Sequence, residues 1–230
     1  MPRARSRTIY AEQTAAAEQE QGSGCLSGFM IPPLAVILVS CLLVAFVFRL
    51  PAPTPISGMT IANAAPAASG LAPFFRPEVQ HWSDSIQRWA AASGLDPNLV
   101  AVIMQIESCG DPRALSRSGA MGLFQVMPFH FALSDNPYDP DTNALRGLAY
   151  MARSLQTAGG DARLALAGYN GGIGVIARSE WAWSAETQRY VRYGAPIYED
   201  ALQGKTQSAA LDEWYTKYGV SLCRQASKNQ

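Results

Sequence analysis

Four kinds of pattern succeed one another along the chain. Residues 1–28 are polar, dominated by Ala, Gln, Glu, Ser and Gly with no periodic apolar face, and predict a disordered tail. Residues 29–48 carry no charge, and from Leu34 to Phe48 only Ser40 interrupts an apolar run. That is about 20 residues, the length that spans a bilayer. Residues 49–77 are rich in Pro, Ala, Ser and Gly and predict a semi-stiff tether, in which Phe74 and Phe75 either dock on the neighbouring domain or mark its edge.

From Glu78 onward apolar positions recur at helical spacing. Val79, Trp82, Ile86, Trp89 and Ala90 predict one helix over 78–92, and Asp96 opens another. Leu145, Leu148, Ala149, Ala152 and Leu155 mark a third over 141–156, with Asp141 to Asn143 as its caps. Asp161 suits the cap of a short helix ending near Tyr169, where Gly171, Gly172 and Gly174 force a turn. Ser184 caps a helix through Tyr190 and Val191 that bends near Pro196, and Leu211, Trp214, Tyr215 and Tyr218 predict a last short one. No stretch alternates with period two. The predicted fold class is therefore all-α: a mainly α domain over 78–230, preceded by a single N-terminal transmembrane helix over 29–48 and a flexible linker over 49–77.

The helix that starts at Asp96 organises the domain. Pro97 suits its first position, and Leu99, Val100, Val102, Ile103, Met104 and Ile106 make it apolar almost all round, with only Gln105 breaking the run. Such a helix belongs inside a bundle. Gly110 offers a stop and Pro112 forbids a restart. Glu107 follows Ile103 by four and Val100 by seven, so it shares their buried stripe close to the C-terminal end. Burial and the negative end of the helix dipole both raise a carboxyl pKa, which is what a general acid needs. The competing reading is a terminal Glu that bends to solvent or caps a neighbour.

Charge and cysteine usage then set the context. Lys+Arg 18 against Asp+Glu 18 leaves no net charge, so nothing points to a nucleic-acid partner. Arg3, Arg5 and Arg7 precede the apolar run, and Arg49 closes it. The upstream arginines place residues 1–28 in the cytoplasm and the domain outside the cell membrane. A cleaved signal peptide (Ala62-Asn63-Ala64 resembles a cleavage site) and a lipoprotein box (Leu38 to Cys41) are the rival readings. With Cys25 and Cys41 in the tail and the apolar run, only Cys109 and Cys223 would face an oxidising space, which predicts a disulfide between them. CxxC spacings are absent and His81 and His130 are the only histidines, so neither a metal site nor a catalytic cysteine is expected.

Three blocks carry a family resemblance: Glu107-Ser108, LSRSGAMGLFQVMP from Leu115 to Pro128, and ALAGYNGG from Ala165 to Gly172. In this order and spacing they resemble the signature blocks of the soluble lytic transglycosylases, whose domain is related to goose-type lysozyme. Phe124 replaces the usual Met, and Gly168 and Gly171 replace alanines, changes that could reshape the groove. The resemblance covers roughly 78–202 and implies a lysozyme-like domain acting on peptidoglycan glycan strands, with no cofactor. It implies cleavage between N-acetylmuramic acid and N-acetylglucosamine, with Glu107 as acid and then base and a 1,6-anhydro product. No second catalytic carboxylate is needed, and the nearest acids, Asp111, Asp135, Asp139 and Asp141, sit in turns or at helix starts. Ser116, Gln125, Tyr169, Asn170 and Tyr190 match the family's substrate-binding positions. Apart from the resemblance they read as a loop serine, a loop-satisfying amide and packing aromatics. Met121, Leu123 and Met127 read as walls, and Trp181 and Trp183 as sugar platforms or surface packing. Two other functions fit the same fold: a hydrolytic muramidase, and a non-catalytic wall-binding or secretion-scaffold module.

Overall fold

The computed structural model describes residues 70–230. The domain's first turns are α1 (Pro77–Gln80) and α2 (Ser83–Ser93), which periodicity alone joins into one helix. The interruption falls where the Trp82 indole N–H donates to the Gly110 carbonyl at 2.9 Å and its ring stacks on Trp89, centroids 5.9 Å apart. Gly94, at φ 68°, ends α2.

Helix α3 (Pro97–Glu107) starts as its sequence dictates. Asp96 Oδ1 accepts from the N–H of Asn98 at 2.9 Å and of Leu99 at 3.3 Å, and Pro97 occupies the first position. Every residue from Leu99 to Gln105 is buried. Gln105 is satisfied there, its Oε1 accepting from the Arg76 N–H at 3.1 Å and its Nε2 lying 3.1 Å from Cys109 Sγ.

Helices α2 and α6 (Ala185–Leu202) pack directly on it, and α4 (Pro140–Thr157) and α5 (Ala162–Gly171) pack on these in turn. Asp139, not Asp141, caps α4: its carboxylate accepts from the Thr142 N–H at 2.9 Å, ahead of Pro140. Asp141 instead accepts from the Trp89 indole at 2.7 Å. Asp161 and Ser184 cap α5 and α6, and Pro196 lies inside an unbroken α6. At Gly194 a Cβ would come within 3.2 Å of Leu166 and 3.4 Å of Ile106, so this glycine lets α6 lie close on both α5 and α3.

The last helix is longer than the pattern over 211–218 suggests. Helix α7 (Ala209–Trp214) passes through a π turn, Tyr215–Gly219, into α8 (Val220–Asn229). The run folds back on the start of the domain: Gln225 and Asn229 donate to the buried Asp111 carboxylate, and Gln230 donates to the Glu78 carbonyl at 2.7 Å. Cys109 and Cys223 are joined in a disulfide with Cα atoms 5.0 Å apart. No strand occurs among the described residues, only isolated bridges of Met121 with Leu115 and with Val126.

Composition assigns residues 71–77 to the linker, yet Leu71, Ala72 and Phe75 are buried in the core. The Ala72 N–H donates to Asn98 Oδ1 at 2.8 Å, so packing reaches back to Leu71. The apolar run 29–48, the tail, most of the linker, and Cys25 and Cys41 lie outside the described residues. Among the described residues no helix is long and apolar enough to cross a membrane.

Candidate active site

The chain leaves α3 through a tight exit. Ser108 is buried and its hydroxyl donates to the Leu123 carbonyl at 2.7 Å while accepting from the Gly110 N–H. Cys109 follows at φ 52°, a left-handed conformation held by the disulfide and by core packing. Gly110 sits at φ 84°, where a Cβ would meet the Glu78 carbonyl at 2.6 Å. This exit fixes Glu107 at the mouth of a groove.

Glu107 retains part of its surface, but its carboxyl is packed tightly enough that its pKa is pushed from 4.5 up to about 8. Loss of solvation on burial is the largest cause. The nearby Tyr190 hydroxyl pulls the value back, and the charge of Glu186 raises it further. The Tyr190 hydroxyl is itself buried and stops short of a full hydrogen bond with any partner. Glu107 therefore carries its proton at neutral pH.

Below it runs the loop from Ala114 to Pro128. Ser116 and Ala120 close its first turn, the Ala120 N–H donating to Ser116 Oγ at 2.9 Å and the Ser116 N–H to the Ala120 carbonyl at 2.9 Å. Gln125 sits at φ 46° and directs its amide N–H groups to the carbonyls of Gly122 and Ala114, at 3.0 and 3.3 Å. The buried Asn143 of α4 fastens the loop: its Oδ1 accepts from the Phe124 N–H, and its Nδ2 donates to the carbonyls of Met121 and Pro137. Gly122, at φ 74°, is required beside it, because a Cβ would lie 2.4 Å from Asn143 Nδ2.

Helices α5 and α6 supply the opposite wall. The Tyr169 hydroxyl donates to the Phe124 carbonyl at 2.7 Å, so its proton serves the loop rather than Glu107. Asn170 Oδ1 accepts from the Thr187 hydroxyl at 2.9 Å. Ser116, Gln125, Tyr169 and Asn170 line one cavity of about 490 Å³ together with Glu107. Tyr190 lines a second, of about 200 Å³, which also reaches Glu107.

Several groove residues escape a sequence reading. Glu186, exposed in the first turn of α6, lines both cavities. It is the acid nearest in effect to Glu107, in place of the four aspartates. Asp111 is committed to the last helix, Asp135 to an ion pair with Arg146 at 2.7 Å, Asp139 to a cap and Asp141 to Trp89. Phe129, His130 and Tyr150 also line the larger cavity, and their rings continue to Tyr169 with successive centroids 4.5, 4.8 and 5.9 Å apart. Trp181 and Trp183 line neither cavity. Trp181 is 84% exposed elsewhere, and Trp183 is buried with its indole N–H on the Val175 carbonyl.

Residues 84–189 match the model of the transglycosylase SLT domain. Over these residues the chain is similar to the transglycosylase SLT family. The transglycosylase of Enterobacteria phage PRD1 is 39% identical over 111 residues, which make up 47% of this chain and 40% of that protein. The membrane-bound lytic murein transglycosylase C of Edwardsiella ictaluri is 34% identical over 116 residues, 41% of this chain and 32% of that one. This chain thus spans less than half the length of these relatives. A solved structure of lytic transglycosylase Slt from Pseudomonas aeruginosa shares 27% identity at a TM-score of 0.44, over 53% of this chain and 24% of that one.

The packing of this domain bears on its departures from the usual blocks. Phe124 is fully buried, edge-on to Trp89 at 5.9 Å, so it fills the core and does not reshape the groove. A Cβ at Gly168 would lie 2.3 Å from Ser154 Oγ, and one at Gly171 would lie 2.7 Å from Thr187 Oγ1. Alanine at either position would require these side chains to shift.

Proposed function

We propose that this domain is a peptidoglycan lytic transglycosylase that cuts glycan strands between N-acetylmuramic acid and N-acetylglucosamine. The observation that carries the reading is a carboxyl with a pKa of about 8, at the junction of two cavities. Protonated Glu107 gives its proton to the glycosidic oxygen as the bond breaks through an oxocarbenium-like state. The resulting carboxylate then takes the proton of the sugar's own 6-hydroxyl, which closes a 1,6-anhydro ring and returns Glu107 to its starting form. Ser116, Gln125, Asn170 and Tyr190 hold the strand. Tyr169 acts through the loop by fixing the Phe124 carbonyl. The names of the relatives agree with this activity, and those of the membrane-bound ones with association with a membrane, for which residues 29–48 would serve as the anchor.

One observation favours a second reading. Glu186 is a second carboxylate on the same groove, exposed and therefore placed to activate a water, as a hydrolytic muramidase requires. The products separate the two. Purified sacculi digested by the protein should give muropeptides ending in 1,6-anhydromuramic acid, one water lighter than hydrolytic products. Reducing-end muramic acid would assign the muramidase instead. Glu107→Gln keeps shape and removes the transferable proton, so turnover should fall by about a thousandfold or more while glycan binding persists. Near-normal turnover would remove Glu107 from the mechanism.

A further inference from the structure

Glu107, Asn170 and Glu186 line both cavities, so the two meet at the acid. The larger is walled by the signature loop and α5. The smaller is closed from the other side by Trp214, Tyr218 and Leu222. These three lie beyond residue 189, where the family match ends, so this wall belongs to the chain's own C-terminal run.

The wall has a defined shape. The π turn Tyr215–Gly219 widens the helix where Tyr218 faces the recess, and π turns often mark functional positions. Gly219 is required behind it, because a Cβ there would lie 2.6 Å from the Trp214 ring. The disulfide at Cys223, next to Leu222, ties the wall to the residue two places after Glu107. Tyr218 keeps 46% of its surface and meets Tyr193 edge-on at 5.8 Å. The Arg189 guanidinium lies 5.4 Å from the Tyr218 ring centre, is exposed, and pairs with no carboxylate among the described residues.

A half-open aromatic ring at a cavity wall packs the surface it leaves free against the C–H face of a sugar, and the unpaired guanidinium over its other face suits a carboxylate bidentately. Glu186, one turn earlier on the same helix, works against a second anion closer to Glu107, which leaves Arg189 as the carboxylate's place. We propose that this recess is a subsite for the strand next to the bond that is cut, with a sugar ring on Tyr218 and a carboxylate of the muramic acid's peptide substituent on Arg189. The inference rests on the proposed action on glycan strands.

Its test is a binding measurement that does not depend on cleavage. In the Glu107→Gln protein, calorimetry compares soluble glycan oligomers that keep their peptides with the same oligomers stripped of them. The peptide-bearing form should bind more tightly, and adding Arg189→Gln should reduce that preference about tenfold, with Arg189→Lys retaining part of it. Tyr218→Ala should weaken both oligomers, and Tyr218→Phe should weaken neither by more than about twofold. No preference for the peptide, or a preference that survives Arg189→Gln, overturns the assignment. If the preference behaves as expected while wild-type protein cleaves neither oligomer, the proposed activity fails and the subsite stands.

Discussion

The end of α3 is held from two sides by regions of opposite construction. The loop over 114–128 takes its turns from bonds between near neighbours, Ser116 with Ala120, Met121 with Val126, and Gln125 with Gly122, and is fastened from farther along the chain by Ser108, Asn143 and Tyr169. The run from Ala209 to Asn229 owes its position to partners over a hundred residues away. These are Cys223 with Cys109, and Gln225 and Asn229 with Asp111. The first is shaped by local sterics and cannot be loosened without changing a residue. The second is seated by the buried Leu211, Trp214 and Ala226, a few polar contacts and one covalent bond, and that bond depends on an oxidising surrounding.

Removing that bond should have the largest effect on stability. Replacing Cys109 and Cys223 with serine opens a loop whose ends are 114 residues apart, for which chain entropy gives roughly 4–5 kcal/mol. Denaturant melts of the double variant, and of wild type with reductant, should agree. Hydrogen exchange should quicken in α8 while the loop stays protected. A loss below about 1 kcal/mol would show that core packing and the polar contacts seat the C-terminal run without the bond.

The loop should break at Asn143. Asn143→Ala strips partners from the Phe124 N–H and the Met121 and Pro137 carbonyls, and should cost about 2–4 kcal/mol. The two regions share no partner in these contacts, so the Asn143 and cysteine losses should add to within about 0.5 kcal/mol. A larger coupling energy would mean that the two sides act as one unit.

Between the two regions sits the acid, and its proton links stability to pH. The folded pKa of about 8 lies above the ordinary 4.5, so the folded state binds the proton more tightly than the unfolded one. Stability should therefore be greatest below pH 4.5 as far as this group is concerned, and should fall as pH rises through about 8. The full shift, discounted by about half because the side chain is partly open, corresponds to about 2 kcal/mol. Glu107→Gln should flatten that slope, and comparison of the two melts between pH 5 and 9 isolates it. An unchanged slope would place the proton elsewhere.

These two regions also differ in how far the sequence reveals them. Asp96, Pro97 and the all-round apolar run delimit α3 because caps and apolar periodicity act within a few residues. Asp161 and Ser184 are legible for the same reason. The loop's residues are visible as a motif. Asn143, which fastens the loop, is not, because an Asn near a helix start is indistinguishable from a cap until the fold brings Phe124 to it. Glu186 is hidden likewise: an acid in a first helical turn is already explained by the helix dipole. The burial of Leu71 and Phe75 inside a stretch of linker composition, and the π turn before α8, depend on partners distant in the chain.

The smallest effect separates two tyrosines, one tied to each side of the acid. The Tyr169 hydroxyl donates to the loop at Phe124, so Tyr169→Phe leaves a buried carbonyl unpaired and should cost about 1 kcal/mol. Tyr190 belongs to the recess side, and its buried hydroxyl has no full partner. Tyr190→Phe should therefore leave the melting midpoint unchanged within about 0.5 kcal/mol, or raise it slightly. The same hydroxyl draws the Glu107 pKa down, so its removal should move the alkaline limb of the rate profile to higher pH by a fraction of a unit. Tyr169→Phe should not move that limb in this direction, since its proton is engaged with Phe124. A Tyr190→Phe protein that melts early would show a hydroxyl partner at rest. A limb that does not move would show that burial by the Tyr190 ring, rather than its hydroxyl, is what Glu107 responds to.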